Sequence, residues 1–276
     1  SANESWPLRG EFAHPPGDGA LKLAVNLADR VAAQLQRDAA SDATWRGGVG
    51  VLQQVRMAEK GVMVAAEFET LDVDAWRRVL AGAGEGTEAP PAAQAGPPPL
   101  ALAGVALQAR EMRAFGQTLK GVQLRALPDE GGWRARLDSD LAAGEFDWRH
   151  AGDGTLNAHF RHLALAGEGG EHARSAAAAT DEPPPRSLPG LDLVGGRFSL
   201  RGKELGRLEV FARNRGGLWE LERLSVANAD GKLTGSGRWQ AAGRQLTDLD
   251  FKLETADVGR FSRRLGYPDA VRGGQA

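Results

Sequence analysis

Residues 247–254 read Thr-Asp-Leu-Asp-Phe-Lys-Leu-Glu, a stretch in which apolar and charged side chains alternate from Asp248 onward. Successive side chains of a β-strand point to opposite sides of a sheet, so this segment has one apolar and one charged face. The same alternation recurs at 21–27, 62–69, 122–126, 156–161 and 208–213. Gly-rich turns separate the stretches, for example at 130–132, 152–154 and 215–217. The pattern predicts an all-β protein, an antiparallel meander with one solvated face.

Helical patterns are confined to two short segments. Residues 71–80 place Val73, Trp76, Val79 and Leu80 on one face, and Asp72 is suited to cap the first turn. Residues 257–266 repeat this design and end at Gly266 before Pro268. The segment 27–37 fits both a helix and a strand, and we favour a strand because its neighbours are strands.

Two Gly-, Ala- and Pro-rich stretches divide the chain, and neither has helical or strand periodicity. The predicted organisation has five parts: a β-rich block ending in a short helix (1–81), a linker (82–99), a β repeat (100–166), a flexible linker (167–187), and a truncated β repeat ending in a short helix (188–276).

The second and third blocks look like copies of one unit. Each has an apolar opening strand, a Gly-bounded strand, a Gly turn and two tryptophans, which are Trp133 and Trp148 in one block and Trp219 and Trp239 in the other. The tryptophan spacings differ, which predicts one extra short strand at 224–228 in the third block. Strand repeats that are capped by a short helix imply an elongated, open sheet.

Composition excludes several classes of function. The chain has no Cys, so disulfide scaffolds, thiolate zinc sites and cysteine nucleophiles are ruled out. Its 34 basic and 36 acidic residues leave no cationic surplus for nucleic acid. The opening residues carry no secretory signal and no initiator Met, so we expect an internal piece of a longer protein.

Polar candidates for chemistry are few. The acid pairs Asp72/Asp74, Asp138/Asp140 and Asp248/Asp250 could bind a cation or act in hydrolysis, but a solvated face explains them better. His159 and His162 would point to opposite sides of a regular strand, which argues against joint metal ligation. Neither Gly235-Ser236-Gly237 nor the glycines before Lys203 has the spacing of a catalytic or phosphate-binding motif. We therefore expect no catalytic residue, no metal and no cofactor.

The four repeated tryptophans are either core anchors or the rim of a groove. Three arginines of the last helical segment could meet anionic lipid head groups or cover a solvated helix face: Arg260, Arg263 and Arg264.

The final block carries the most specific sequence: LPGLDLVGGRFSLRGKELGRLEV, then WELERLSVANADGKLTGSGRWQ, then TDLDFKLETADVGRFSRRLGYPDAVRGG. It resembles the YhdP branch of the AsmA-like proteins of Gram-negative envelopes, and LDVDAWRRVL in the first block is similar as well. The resemblance implies a long, strongly curved sheet with an apolar groove, and a periplasmic body tethered to the inner membrane in the full-length protein. It implies a role in moving phospholipid between the inner and outer membranes, and it supplies no catalytic residues.

A sheet with so few helices must have its apolar face covered by its own curling, by a partner or by lipid. The expected partners are phospholipid acyl chains, with the two membranes reached through parts of the full-length chain that are missing here. The residues expected to line a lipid groove are Val122, Leu124, Leu156, Phe160, Leu208, Val210, Leu249, Phe251 and Leu253. The alternative is a non-catalytic envelope scaffold whose apolar face is an ordinary core, and a carbohydrate-binding or hydrolytic sandwich is the weakest option.

Overall fold

The computed structural model describes residues 7–13, 20–38, 44–77, 100–166, 189–216, 218–240 and 246–265. They form one sheet of fifteen strands in sequence order. The strands are β1 (Leu8–Ala13), β2 (Ala20–Leu27), β3 (Val31–Asp38), β4 (Arg46–Val51), β5 (Gly61–Asp72), β6 (Leu102–Ala114), β7 (Gln117–Asp129), β8 (Gly132–Asp138), β9 (Ala142–Arg149), β10 (Thr155–Leu165), β11 (Gly190–Leu200), β12 (Lys203–Arg215), β13 (Leu218–Ala227), β14 (Gly231–Gln240) and β15 (Leu246–Thr255). The all-β prediction is confirmed.

Two short helices accompany the strands. Helix α1 is described over residues 73–77, and helix α2 spans Val258–Leu265. The Asp72 carboxylate accepts a 2.7 Å hydrogen bond from the Ala75 amide, which confirms the predicted cap. Asp257 caps α2 in the same way, through a 2.9 Å bond from the Arg260 amide. The predicted stop at Gly266 and both predicted linkers lie outside the described residues.

The chain divides into two compact units. Unit one comprises Ser1–Ala114 and Lys120–Pro128, and unit two comprises Phe115–Leu119 and Asp129–Ala276. Unit one therefore holds β1 to β6 and most of β7, while unit two holds β8 to β15 and α2.

Most strand pairs are antiparallel, but β4–β5, β5–β6 and β10–β11 are parallel. The prediction of a purely antiparallel meander is wrong at these three places. Alternation reports which face a side chain occupies, and it carries no information about strand direction. Parallel neighbours need a crossover, and residues 73–101 and 166–189 are long enough to provide one.

Each of the three sequence blocks contributes five strands: β1–β5, β6–β10 and β11–β15. The extra strand predicted at 224–228 is wrong, because residues 224–227 belong to β13, which has a bulge between Leu221 and Leu224. The wider tryptophan spacing arises from longer hairpin strands, ten residues each in β13 and β14 against seven in β8 and eight in β9. The ambiguous segment 27–37 does contain a strand, β3.

The connection from β4 to β5 spans only residues 52–60 and passes close over β4. The Ala58 amide bonds to the Gly47 carbonyl at 3.1 Å. A β-carbon added at Gly48 would collide with the Arg56 carbonyl, and one added at Gly50 would collide with the Gln53 carbonyl. The short parallel connection therefore depends on two glycines that leave room for its backbone.

We expect Gly48→Ala to lower the free energy of unfolding by about 1–3 kcal/mol, because the new methyl group must displace backbone. Gly10→Ala is the control, since nothing lies within 4 Å of a β-carbon there. Chemical denaturation measures the free energy of unfolding of the two variants. Equal values would show that the connection 52–60 does not pack against β4.

Candidate functional site: the apolar face of unit two

One face of unit two is apolar across all eight of its strands, β8 to β15. The pairing register places side chains in rows that cross the strands, and paired residues share a face. Three successive rows of eight positions contain only apolar residues and glycine. The first row is Trp133, Trp148, Leu156, Leu191, Ala212, Leu221, Gly237 and Leu249. The second is Ala135, Phe146, Ala158, Leu193, Val210, Leu224, Gly235 and Phe251. The third is Leu137, Gly144, Phe160, Gly195, Leu208, Val226, Leu233 and Leu253.

The opposite face is charged, and ion pairs join side chains of different strands. Examples are Arg134 with Asp147 at 3.0 Å, Arg161 with Asp138 at 2.9 Å, and Arg213 with Glu222 at 3.2 Å. Such exposed pairs add little stability individually, about 0–1 kcal/mol. They fix which face of the sheet stays in water.

Neighbouring charges favour ionisation on this face. A hydrogen bond to Asp147, together with the charge of Asp129, raises the pKa of Arg134. The side-chain hydrogen bond from Arg207 lowers the pKa of Glu209. Lys252 and Glu254 are bonded to each other, which raises the pKa of the lysine and lowers that of the glutamate. These groups therefore carry full charge at neutral pH.

The apolar face is only partly covered. Its alanines are buried, with Ala158 at 0% and Ala212 at 1% exposure, whereas Leu249 is 45% and Phe251 is 57% exposed. Among the described residues, Val122 in β7 is the largest side chain with less than 2% exposure. A closed sandwich would bury large aliphatic and aromatic side chains fully. Leu208 and Leu221 are buried, at 7% and 8% exposure, but the other large side chains of the three rows keep surface available for contact.

All four repeated tryptophans lie on this face, toward one edge of the sheet. Trp133 pairs directly with Trp148, and Trp219 pairs directly with Trp239. This edge is formed by the ends of the strands and not by an outermost strand, and we call it the tryptophan edge. Strands β9, β12 and β14 end here, and β8, β10, β11, β13 and β15 begin here. Each of the four rings is half-buried.

The tryptophan edge is also polar at its margin. The indole nitrogen of Trp148 donates to Nδ1 of His150 at 3.0 Å, and that of Trp219 donates to the Pro189 carbonyl at 3.0 Å. The Trp148 ring lies so close to Gly154 that a β-carbon there would collide with it. A depression of about 480 Å³ near the same strand ends opens on the charged face, because its side chains Asn157, Asp192 and Arg213 point to that side of the sheet.

The opposite edge, which we call the helix edge, is covered at the start of β14 by α2, which also contacts β12. Phe261 lies over Gly231, with its Cδ2 atom 3.2 Å from where a β-carbon would stand. Arg264 donates to the Asp230 carboxylate through Nε at 2.7 Å and Nη2 at 2.6 Å. The Thr255 hydroxyl, which is buried, donates to the Asp230 carbonyl at 2.7 Å. The two edges of the apolar face are therefore different in chemistry and in access.

Seven of the nine residues predicted to contact lipid lie in the three rows, in β10, β12 and β15. The other two are in β7 of unit one, where Val122 is 1% exposed and Leu124 is half-buried. Val122 therefore has very little free surface. Lipid contact remains a prediction for the whole set.

The other sequence candidates do not form a polar centre. Asp72 caps α1, Asp138 pairs with Arg161, and Asp248 and Asp250 are exposed on β15. Arg260 and Arg264 pair with Asp257 and Asp230, respectively. Gly235-Ser236-Gly237 is an ordinary segment of β14, and Lys203 opens β12. Nowhere in the described ranges do three or more ligating side chains stand together as a metal site.

The prediction that His159 and His162 face opposite sides is wrong. Their strand partners, Glu145 and Ala143, are two residues apart on β9, so both histidines lie on the same face. A bulge between Phe160 and His162 inserts one extra residue and restores the alternation. His162 is occupied by a 3.2 Å contact between its Nε2 and the Ser139 carbonyl.

Sequence reasoning noticed the repeated tryptophans but not their pairing. In a hairpin, residues equidistant from the turn face each other across the strands. Trp133 and Trp148 each lie six residues from the connection 139–142, so their pairing followed from the sequence. Trp219 and Trp239 lie nine and eight residues from the connection 228–231, and they pair because the bulge between Leu221 and Leu224 offsets the difference.

Comparison with known proteins gives one finding. The family model described as YhdP protein matches residues 1–276. No curated protein and no solved structure matches the chain. Neither helix in the described part of the chain has the length and apolar character needed to cross a bilayer.

We expect Asp230→Asn to loosen α2, because the carboxylate that holds Arg264 loses its charge. Loss of about 1 kcal/mol would speed amide hydrogen exchange in α2 about fivefold. Asp250→Asn, the same change on the exposed face of β15, is the control. Unchanged exchange in α2 of Asp230→Asn would mean that Phe261 packing alone holds the helix.

The cap of α2 is expected to be lost in acid. Hydrogen bonds from the Arg260 backbone and then its side chain lower the pKa of Asp257 below its usual 3.8. A lowered pKa in the folded state stabilises the helix at pH values above 3.8, and this contribution disappears as the pH falls through the lowered value. NMR chemical shifts should report fraying of the first turn of α2 as the pH falls through the lowered pKa of Asp257. In Asp257→Asn the first turn of α2 should show no such pH dependence.

Proposed function

Because this chain belongs to the YhdP family, we propose that unit two shelters phospholipid acyl chains as lipid passes between the inner and outer membranes. Family membership places the chain among AsmA-like envelope proteins. In this proposal the described residues lie in the periplasm, and the full-length protein is tethered to the inner membrane.

The observation that carries the proposal is the set of three apolar rows, in which every large side chain except Leu208 and Leu221 stays partly exposed. An exposed apolar surface of this extent on a soluble sheet is unfavourable unless something covers it. Each acyl methylene removed from water contributes roughly 0.8 kcal/mol, so a chain of about fourteen methylenes gains up to about 11 kcal/mol before entropic costs. Lipid is therefore an energetically adequate cover.

The same surface suits movement along the sheet. Leu, Val, Ala and Phe contact an acyl chain without directional bonds, so neighbouring positions along a row bind it with similar strength. A lipid could then pass from strand to strand without a large barrier at any one of them. The proposed mechanism is partitioning and sliding, with no covalent step.

We expect Phe251→Gln to weaken lipid retention about tenfold, because a side chain that a lipid would cover is made polar. Phe251 is already 57% exposed in the protein, so its replacement should leave the fold intact. Lys252→Gln places the same residue on the opposite face of β15 and is the matched control. Native mass spectrometry of the purified proteins measures retained phospholipid.

Two outcomes would contradict the proposal. If the unaltered protein retains no phospholipid, the scaffold function is the better description. If both variants retain the same amount, any bound lipid lies elsewhere on the protein.

A further inference from the structure

We propose that unit two binds phospholipid in one orientation, with the polar head at the tryptophan edge and the acyl ends toward the helix edge. This inference rests on the proposed function and goes beyond it, because it assigns opposite roles to the two edges of the apolar face.

The tryptophan edge has the chemistry of a water–lipid boundary. Trp133, Trp148, Trp219 and Trp239 present ring surface to the apolar face. The indole nitrogens of Trp148 and Trp219 bond at the margin to His150 and the Pro189 carbonyl. Tryptophan is favoured where one end of a side chain is apolar and the other is hydrated, as at the level of lipid head groups.

Polar surroundings suited to a head group lie next to these rings. The turn after β9 brings His150 to the Trp148 indole and passes Gly154 close to the Trp148 ring. The same turn carries the exposed carboxylate of Asp153. A head group held beside this edge would keep polar partners and water, and removing it from both would be costly.

The helix edge offers no such place on the apolar side of β14, where α2 covers the start of the strand. Phe261 covers Gly231, and the Arg264–Asp230 ion pair is already formed, with the Asp230 side chain only 13% exposed. The apolar end of an acyl chain can contact Phe261 without giving up hydrogen bonds. A phosphate group at this place would have to displace the helix. Access for a polar group is therefore one-sided.

The distance between the edges fits an acyl chain. Trp239 and Gly231 lie eight residues apart on β14, which corresponds to about 26 Å at the rise of a strand. An acyl chain of one membrane leaflet spans about 15 Å. A phospholipid can thus lie along the strands with its head at the tryptophans and its chain ends short of α2.

The chain has no cysteine, so one introduced cysteine provides a single attachment site for a fluorophore. Leu249→Cys and Leu253→Cys are a matched pair, because both residues lie on the apolar face of β15 and their exposures are 45% and 41%. Leu249 is in the row of Trp133, and Leu253 is four residues nearer the helix edge. Each variant is labelled with bimane and loaded from phosphatidylcholine vesicles that contain a nitroxide-labelled phosphatidylcholine, and the vesicles are then removed.

A nitroxide on the head group should quench the label at 249 several-fold more than the label at 253. A nitroxide at the end of the acyl chain should give the reverse order. Equal quenching at the two sites, or the opposite order, would overturn the orientation while leaving lipid binding in place. Absence of quenching at both sites, with no phospholipid recovered, would overturn the proposed function as well.

Replacing Trp219 and Trp239 with Leu tests the role of the rings. The site dependence should be lost while bound phosphatidylcholine is still recovered. Unchanged site dependence in a folded double variant would show that the tryptophans do not set the orientation.

Discussion

The apolar face of unit two depends on the side-chain alternation staying in phase across eight strands. A slip of one residue in any pair would move every apolar side chain of that strand to the charged face. Cross-strand ion pairs on the other side oppose such a slip, because it would also carry arginines and carboxylates into the apolar rows. Register is therefore held from both faces.

Bulges are the means by which longer strands stay in phase. At the parallel joint, β10 and β11 each carry an irregularity at matching positions, near Arg161 and Gly196. In β13 the residue pair between Leu221 and Leu224 faces a single residue of β14. Beyond each bulge the apolar positions return to the same face. Without the bulge in β13, the alternation from Leu221 would carry Leu224 and Val226 to the charged face.

The size of the residues on the apolar face of unit two determines how much of that face is covered by its own contacts. Alanine and glycine occupy many positions where neighbouring side chains come close, and the larger residues between them keep exposed surface. A face packed in this way gains less free energy from its own contacts than a closed sandwich core of the same residues would. The surface that remains uncovered is available to another apolar molecule.

Period-two alternation was sufficient to predict the all-β class and the apolar faces of β2, β5, β7, β10, β12 and β15, and seven members of the three rows. It carries no information on strand direction, so the parallel joints were not predicted. A bulge shows in the sequence only as two consecutive polar residues, Arg161-His162 in β10 and Glu222-Arg223 in β13, and strict alternation therefore gives the wrong face for His162 and a false strand break before Leu224. The closure of the helix edge was also unpredictable, because Arg264 and Asp230 are distant in sequence and meet only through the turn between β13 and β14.

The parallel joints have a consequence for how such a protein can grow. At β5–β6 and at β10–β11, the last strand of one five-strand block pairs with the first strand of the next, and apolar residues pair across both joints. A duplicated block can therefore be appended without interrupting the hydrophobic lining. Each copy would add about 24 Å to the lining, at the spacing of neighbouring strands. The number of duplications in a gene would then set how long an apolar lining the encoded protein presents.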